Sequence, residues 1–138
     1  MRHMATALSL EKLNRVGGME RVHAVEQGLP VKWLRALLTD GTVSVGDLSR
    51  IIAPRRTLER RLKSGGRLSV DESDRLSRFL SILDLSAYTF GDRTKAMQWL
   101  RKPLRVFEGT PPLDLLKTSA GSEEVYNLLQ RGRHGMLA

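Results

Sequence analysis

The sequence predicts an all-α protein: an N-terminal helix-turn-helix bundle, a long central helix and a small C-terminal helical module. Three observations predict it. Apolar residues recur at three- and four-residue spacing along the chain, punctuated by Gly and Pro, and no part calls for a sheet. Residues 68–91 carry the strongest such pattern, Leu76, Phe79, Leu80, Leu83, Ala87 and Phe90, behind a Ser69 and Glu72 capping box. Residues 50–67 set seven basic side chains (Arg50, Arg55, Arg56, Arg60, Arg61, Lys63, Arg67) against one acid, Glu59. This is a local charge of +6 in a chain whose net charge is +8.

From the N-terminus, residues 1–18 have a weak apolar spacing (Leu8, Leu10, Leu13, Val16) and end in Gly17-Gly18, which predicts a loose helix or arm. Met19, Val22, His23 and Val25 then lead to Gly28-Leu29-Pro30, where glycine suits a helix end and proline the first turn of the next helix. Val31, Leu34, Leu37 and Leu38, with Trp33 beside them, give a short buried helix ended by Asp40-Gly41. Ser44, with Asp47 three residues on, opens a helix whose inner stripe is Val45, Leu48, Ile51 and Ile52 and which stops at Ala53-Pro54. Pro54 is expected at the first position of the following helix, with Leu58 and Leu62 inward and Arg55, Arg56, Glu59, Arg60 and Lys63 outward. A short amphipathic helix, a tight turn and a second helix with a basic outer face describe a helix-turn-helix.

Gly65-Gly66 closes that helix, and the capping box at Ser69 starts the long one, the expected spine of the fold. Its Arg75 and Arg78 are read as solvated partners of Asp71, Asp74 and Asp84. After Gly91, Asp92 caps a helix bearing Ala96, Met97, Trp99 and Leu100 that stops at Lys102-Pro103, with a short extended piece expected at Leu104 to Phe107. Thr110-Pro111-Pro112 starts another helix with Leu113, Leu115 and Leu116. Ser122 is expected to cap the last, with Val125, Leu128 and Leu129 inward and Arg131 onward beyond it. The chain therefore divides into an arm (1–18), a helix-turn-helix DNA-binding and dimerisation domain (19–91) and a C-terminal domain (92–138).

Positive charge concentrated on one short element is the footprint of a nucleic-acid partner, because neutralising phosphates releases condensed counterions. A solvated basic helix face is the alternative. The helix-turn-helix context favours DNA, with Arg55, Arg56, Thr57, Arg60 and Lys63 as the contact candidates. The N-terminal residues of a recognition helix meet base edges, and its free amides favour phosphate. One helix-turn-helix meets one half-site, so a homodimer on a palindromic operator is expected. Leu8, Leu10, Leu13 and the helix around Trp33 either form that dimer surface or pack back on their own chain.

Other classes are disfavoured. The chain contains no cysteine, which removes thiolate chemistry and fits a reducing cytoplasm. His3, His23 and His134 do not lie at metal-ligand spacing, and His23 is read as a packed or capping residue. Gly65-Gly66 lacks the residues of a phosphate loop. No apolar run approaches the roughly 20 residues of a membrane span. No enzyme, cofactor, metal or membrane association is expected, and the localisation expected is cytoplasmic.

A series of motifs occurs in one consistent order: Thr57-Leu58-Glu59-Arg60-Arg61, Leu68-Ser69 through Glu72-Ser73-Asp74-Arg75-Leu76, Gly91-Asp92 with Ala96, Trp99-Leu100 before Pro103, Pro112-Leu113-Asp114-Leu115-Leu116 before Thr118, and Gly121 with Val125 ahead of Gly135. Over about residues 20–138 the chain resembles the Xre/MbcA/ParS-type antitoxins that partner RES-domain toxins. The resemblance implies an Xre-type helix-turn-helix, a C-terminal toxin-binding domain, a cognate RES toxin that consumes NAD, coverage of that toxin's active site, and repression of the antitoxin's own operon. It departs at Glu108, where a second glycine often stands. It also gives the tail a role: Arg131, Arg133, His134, Gly135, Met136, Leu137 and Ala138 are expected to bind the toxin, reaching into its NAD cleft with the terminal carboxylate imitating an anion. An ordinary frayed terminus is the alternative for the tail. For the whole protein, the alternative is a stand-alone transcriptional regulator whose C-terminal module dimerises or docks another partner.

Overall fold

The computed structural model describes residues 17–132. Along them run α1 (Gly18–Gln27), α2 (Val31–Leu38), α3 (Val45–Ser49), α4 (Arg55–Ser64), α5 (Val70–Phe90), α6 (Arg93–Leu100), a 3-10 turn (Arg105–Phe107), α7 (Pro112–Leu115) and α8 (Ser119–Gly132). Among the described residues there is no strand, only isolated bridges joining Pro30 to Arg67 and Leu104 to Thr110. Leu8, Leu10, Leu13 and Val16 lie outside the described residues, and so does all of the expected arm but Gly17 and Gly18.

The spine is α5. Its capping box is complete: Ser69 Oγ accepts from the Glu72 amide and the Glu72 carboxylate accepts from the Ser69 amide. The 21-residue helix buries Leu76, Phe79, Leu80, Ile82 and Leu83. These join one core cluster running from Leu29 through Leu48, Leu58 and Met97 to Leu129, so both halves of the chain share it. Each such aliphatic side chain removed from water contributes about 1.5 to 3 kcal/mol before entropy is counted. Trp33, Leu34 and Leu37 are buried there too, so this face of α2 is core and not a dimer surface.

Two close approaches fix the packing. Gly28 has a positive φ of 89°, and a Cβ there would lie 2.4 Å from the Leu68 carbonyl oxygen. This lets the α1–α2 link zip onto the α4–α5 link through Leu68 N–H to Leu29 O and Val31 N–H to Gly66 O. Gly121 brings α8 against the end of α7, where a Cβ would stand 2.0 Å from the Leu115 carbonyl oxygen.

Several local expectations are corrected. Pro54 is the N-cap of α4, one residue outside the expected first position. Leu104 to Phe107 is not extended; Arg105–Phe107 form a 3-10 turn, closed by Glu108 in the left-handed region at φ 58°. A non-glycine residue there costs about 1 to 2 kcal/mol, which explains why glycine suits this turn. Ser122 does not cap α8. Thr118 accepts from the Gly121 amide through its hydroxyl, and buried Ser122 lies inside the helix with its own hydroxyl directed to Leu116 O. Arg75 donates to the Ile52 carbonyl and so ties the helix-turn-helix to the spine, while Arg78 pairs with Asp74 as expected. His23 is exposed, 3.9 Å from Glu26, and neither packs nor caps.

The C-terminal helices are tied to α3 by arginine. Asp47 completes the Ser44 capping box and also accepts from Arg101 Nε at 3.1 Å and Nη2 at 2.7 Å; Arg101 donates besides to the Thr42 carbonyl. Beside it, Arg50 grips Asp114 of α7 with two bonds of 2.6 Å. Burial pushes the Asp47 carboxyl up, but the Arg101 hydrogen bonds, the Ser44 amide and the arginine charge outweigh it and hold the group below the ordinary aspartate value. A depressed carboxyl stabilises the fold above its unfolded value, and that contribution is lost as pH falls through the folded one. Arg101→Ala should therefore lower unfolding free energy at neutral pH by roughly 1 to 3 kcal/mol. Its acid destabilisation should also be shallower than that of the unaltered protein. Urea melts at several pH values measure both.

Candidate nucleic-acid interface

The helix-turn-helix consists of α3, the turn through Ile52 and Pro54, and α4. Two donors hold α4 from behind: Arg75 on the turn at Ile52 O, at 3.1 Å, and Arg35 of α2 on the Leu62 carbonyl. Leu58 is buried and Leu62 is packed against the core, so the opposite face looks outward as predicted. No side chain caps the N-terminus of α4. The amides of its first turn, where Arg55, Arg56 and Thr57 sit, have no intrahelical carbonyl to meet and stay available to an acceptor.

The cations of residues 50–67 divide into two sets. Arg50 is committed to Asp114. Arg61 pairs with the capping-box acid Glu72 at 3.0 Å, and Arg67 donates to the Gly28 carbonyl at 2.7 Å. Burial raises the Glu72 carboxyl, but the Ser69 amide and Arg61 together hold it below its ordinary value. Arg56, Arg60 and Lys63 are exposed, and their side chains have no hydrogen-bond or ion-pair partner among the described residues. They stand four and three residues apart and so form one row on α4. Arg55 flanks the row, shared with exposed Glu59 at 3.3 Å, and Thr57 is half-buried at its edge. The charge run is thus smaller as a surface than as a sequence.

The residues expected at the other end are only partly described. Arg131 is exposed in the last turn of α8, inside the helix and not beyond it. Arg133, His134, Gly135, Met136, Leu137 and Ala138 lie outside the described residues. Among the described residues, no group of three His, Cys, Asp or Glu is placed to hold a metal, and no helix is long and apolar enough to cross a membrane.

Residues 20–81, from α1 into α5, match the antitoxin Xre-like helix-turn-helix domain. Residues 87–135 match the antitoxin Xre/MbcA/ParS C-terminal toxin-binding domain. An antitoxin Xre of Photorhabdus laumondii is 34% identical over 116 residues, which are 83% of this chain and 78% of that one. The chain belongs to the Xre antitoxin family. An antitoxin Xre of Pseudomonas putida is 36% identical over 76% of this chain and 65% of its own length, and one of Yersinia enterocolitica is 29% identical over 88% and 83%. This is a family of antitoxins with a helix-turn-helix and a toxin-binding domain, not of enzymes.

Reading the sequence missed the arginines that position the interface, Arg35, Arg50, Arg61, Arg75 and Arg101. Nothing near these arginines in the sequence names the partners they meet. The two sets of cations should separate in stability. Arg61→Gln, which leaves Glu72 without its cation, should cost about 1 to 2 kcal/mol, whereas Arg56→Ala, Arg60→Ala and Lys63→Ala should each change stability by less than about 0.5 kcal/mol in urea melts.

Proposed function

We propose that this antitoxin neutralises a cognate RES-domain, NAD-consuming toxin by covering its active site with its C-terminal region, and binds operator DNA through α4 to repress its own operon. The observation that carries the DNA half is the row Arg56, Arg60 and Lys63, exposed cations with no side-chain partner among the described residues, beside the first turn of α4, which no side chain caps. An α-helix with such a row enters the major groove with its N-terminal end toward the bases. Arginine grips guanine there with two hydrogen bonds, and the remaining cations and free amides take phosphates. Arg55 and Thr57 complete this set. A homodimer sets two copies of α4 on a palindromic operator, and the protein acts in the cytoplasm with no cofactor.

The toxin half is supported by the match of residues 87–135 to the toxin-binding domain. The toxin-binding residues are Arg131, Arg133, His134, Gly135, Met136, Leu137 and Ala138. A toxin that binds the pyrophosphate of NAD presents donors or positive charge in its cleft, which suits a carboxylate in the inhibiting segment. Ion pairs through Asp47 and Asp114 hold the helices of the toxin-binding domain against α3.

Arg56→Ala and Arg60→Ala should each weaken operator binding and reduce the slope of log K against log salt by about 0.9 for each phosphate no longer neutralised. An unchanged slope and affinity would remove α4 from the DNA interface. Deleting Gly135 to Ala138 should abolish inhibition of the co-expressed RES toxin while leaving DNA binding intact. Neutralisation at undiminished affinity would show that the tail does not inhibit. Failure of the intact protein to co-purify with any RES-domain protein would favour a stand-alone regulator.

A further inference from the structure

Two adjoining hollows of about 630 and about 710 Å3 share Ser81 and Tyr126. They form one trough that runs between α1, α5 and the first turns of α8 and continues between α5 and α8 as far as Tyr88 and Gln130. Val22 and Val25 of α1, Ile82 and Leu85 of α5 and Tyr126 of α8 supply its apolar surface. The chain has two tyrosines, and both stand on this trough, Tyr88 73% and Tyr126 47% exposed. Val22 is 41% exposed. Tyrosine is enriched where proteins meet, because it offers a large rigid apolar face with a polar tip. The trough's charge opposes that of the chain. Glu26, Asp74, Asp84 and Glu123 line it against Arg21 and Arg78, an excess of two acids in a chain of net charge +8. Both arginines are committed: Arg21 donates to Ser77 O and Ser81 Oγ, and Arg78 pairs with Asp74. Asp84 and Glu123 are exposed and have no ion-pair partner among the described residues. A long apolar trough with so few convergent polar groups does not suit a small polar ligand.

We propose that this trough is a docking surface for the toxin, filled by a toxin segment that carries apolar and basic side chains, so that the toxin grips α1 and α5 as well as the C-terminal helices. The inference rests on the toxin-binding reading above and extends it past the matched residues 87–135. Tyr88, Glu123, Tyr126 and Gln130 lie within that match, and Gln130 adjoins Arg131, where the proposed toxin contacts begin. Val22 and Val25, on the other wall, belong to the residues matched as helix-turn-helix. One surface therefore continues from the toxin-binding domain onto α1. Arg21 pins α1 to α5, so this wall is formed before a partner arrives, and a preformed surface loses less to ordering on binding. From Asp74 to Tyr88 the trough follows α5 for about 21 Å, the length of about four helical turns. Charge selects the occupant. A second copy would meet this face with the same face, setting Asp84 and Glu123 against their own counterparts, whereas a basic segment complements both acids.

Calorimetric titration of the full-length antitoxin with purified cognate RES toxin tests this. Tyr126→Ala and Val22→Asp, both at exposed positions, should each raise the Kd for toxin by at least about tenfold, with urea midpoints and operator affinity unchanged. Asp84→Lys combined with Glu123→Lys should raise it by about tenfold at low salt, and the deficit should shrink at high salt as the charges are screened. Unaltered Kd values in all three variants, from a protein that does bind the toxin, would overturn the proposal and leave the toxin-binding reading standing. An effect of Tyr126→Ala without one of Val22→Asp would confine the toxin surface to the C-terminal domain and overturn the proposal as well. So would conversion of the toxin-free antitoxin from dimer to monomer by Val22→Asp in sedimentation, which places a second copy in the trough. If the unaltered antitoxin binds no RES toxin, the toxin-binding reading itself fails, and this proposal with it.

Discussion

The Asp47 carboxylate answers two demands at once. It accepts the Ser44 amide and so starts α3, and it accepts two nitrogens of Arg101 from the end of α6. The charge is 5% exposed, and taking a carboxylate out of water is costly unless every lone pair finds a donor. The arrangement holds because Ser44 and Arg101 supply those donors together, so α3 and the C-terminal helices are stable in one relative position. Arg50 and Asp114 repeat the tie one helical turn on.

The same economy governs the basic stretch. A helix that carried all its cations outward would repel itself and leave the capping acid Glu72 buried without a counter-charge. Committing Arg61 to Glu72, Arg50 to Asp114 and Arg67 to the Gly28 carbonyl uses the inward and flanking cations to fix α4. What remains is a row of three on the outer face. Under the proposed function, affinity for DNA resides in that row and its geometry in the committed arginines, so substitutions in the two sets fail for different reasons.

The elements themselves were legible because their signals are local. Both capping boxes are three-residue patterns, and both form; Asp92 caps α6 by accepting the Lys95 amide; the inner stripes Leu58 with Leu62 and Leu76 with Phe79 and Leu80 are buried or packed against the core. Long-range partners were not legible, since nothing near Asp47 or Asp114 in the sequence points to arginines 54 and 64 residues away. The start of α8 was misplaced because Ser122 has the residue type of a cap, while the close approach of Gly121 to Leu115 lets the helix begin earlier, under Thr118. Helical period put Arg55, Arg56, Arg60 and Lys63 on the outer face, where they are exposed, although Arg55 is shared with Glu59 and Thr57 is only half-exposed. The groove between α1, α5 and α8 left no signal, since it is made by three helices distant in sequence.

The central claim is a division of labour between an outer row on α4 that meets DNA and a C-terminal region that silences a toxin. The direct measurement is NAD consumption by the cognate RES toxin, titrated with a variant in which Arg56, Arg60 and Lys63 are all alanine. The account predicts the same stoichiometric inhibition curve as for the unaltered antitoxin, from a protein that no longer binds operator DNA. Loss of inhibition in step with loss of DNA binding, with the fold intact, would contradict it.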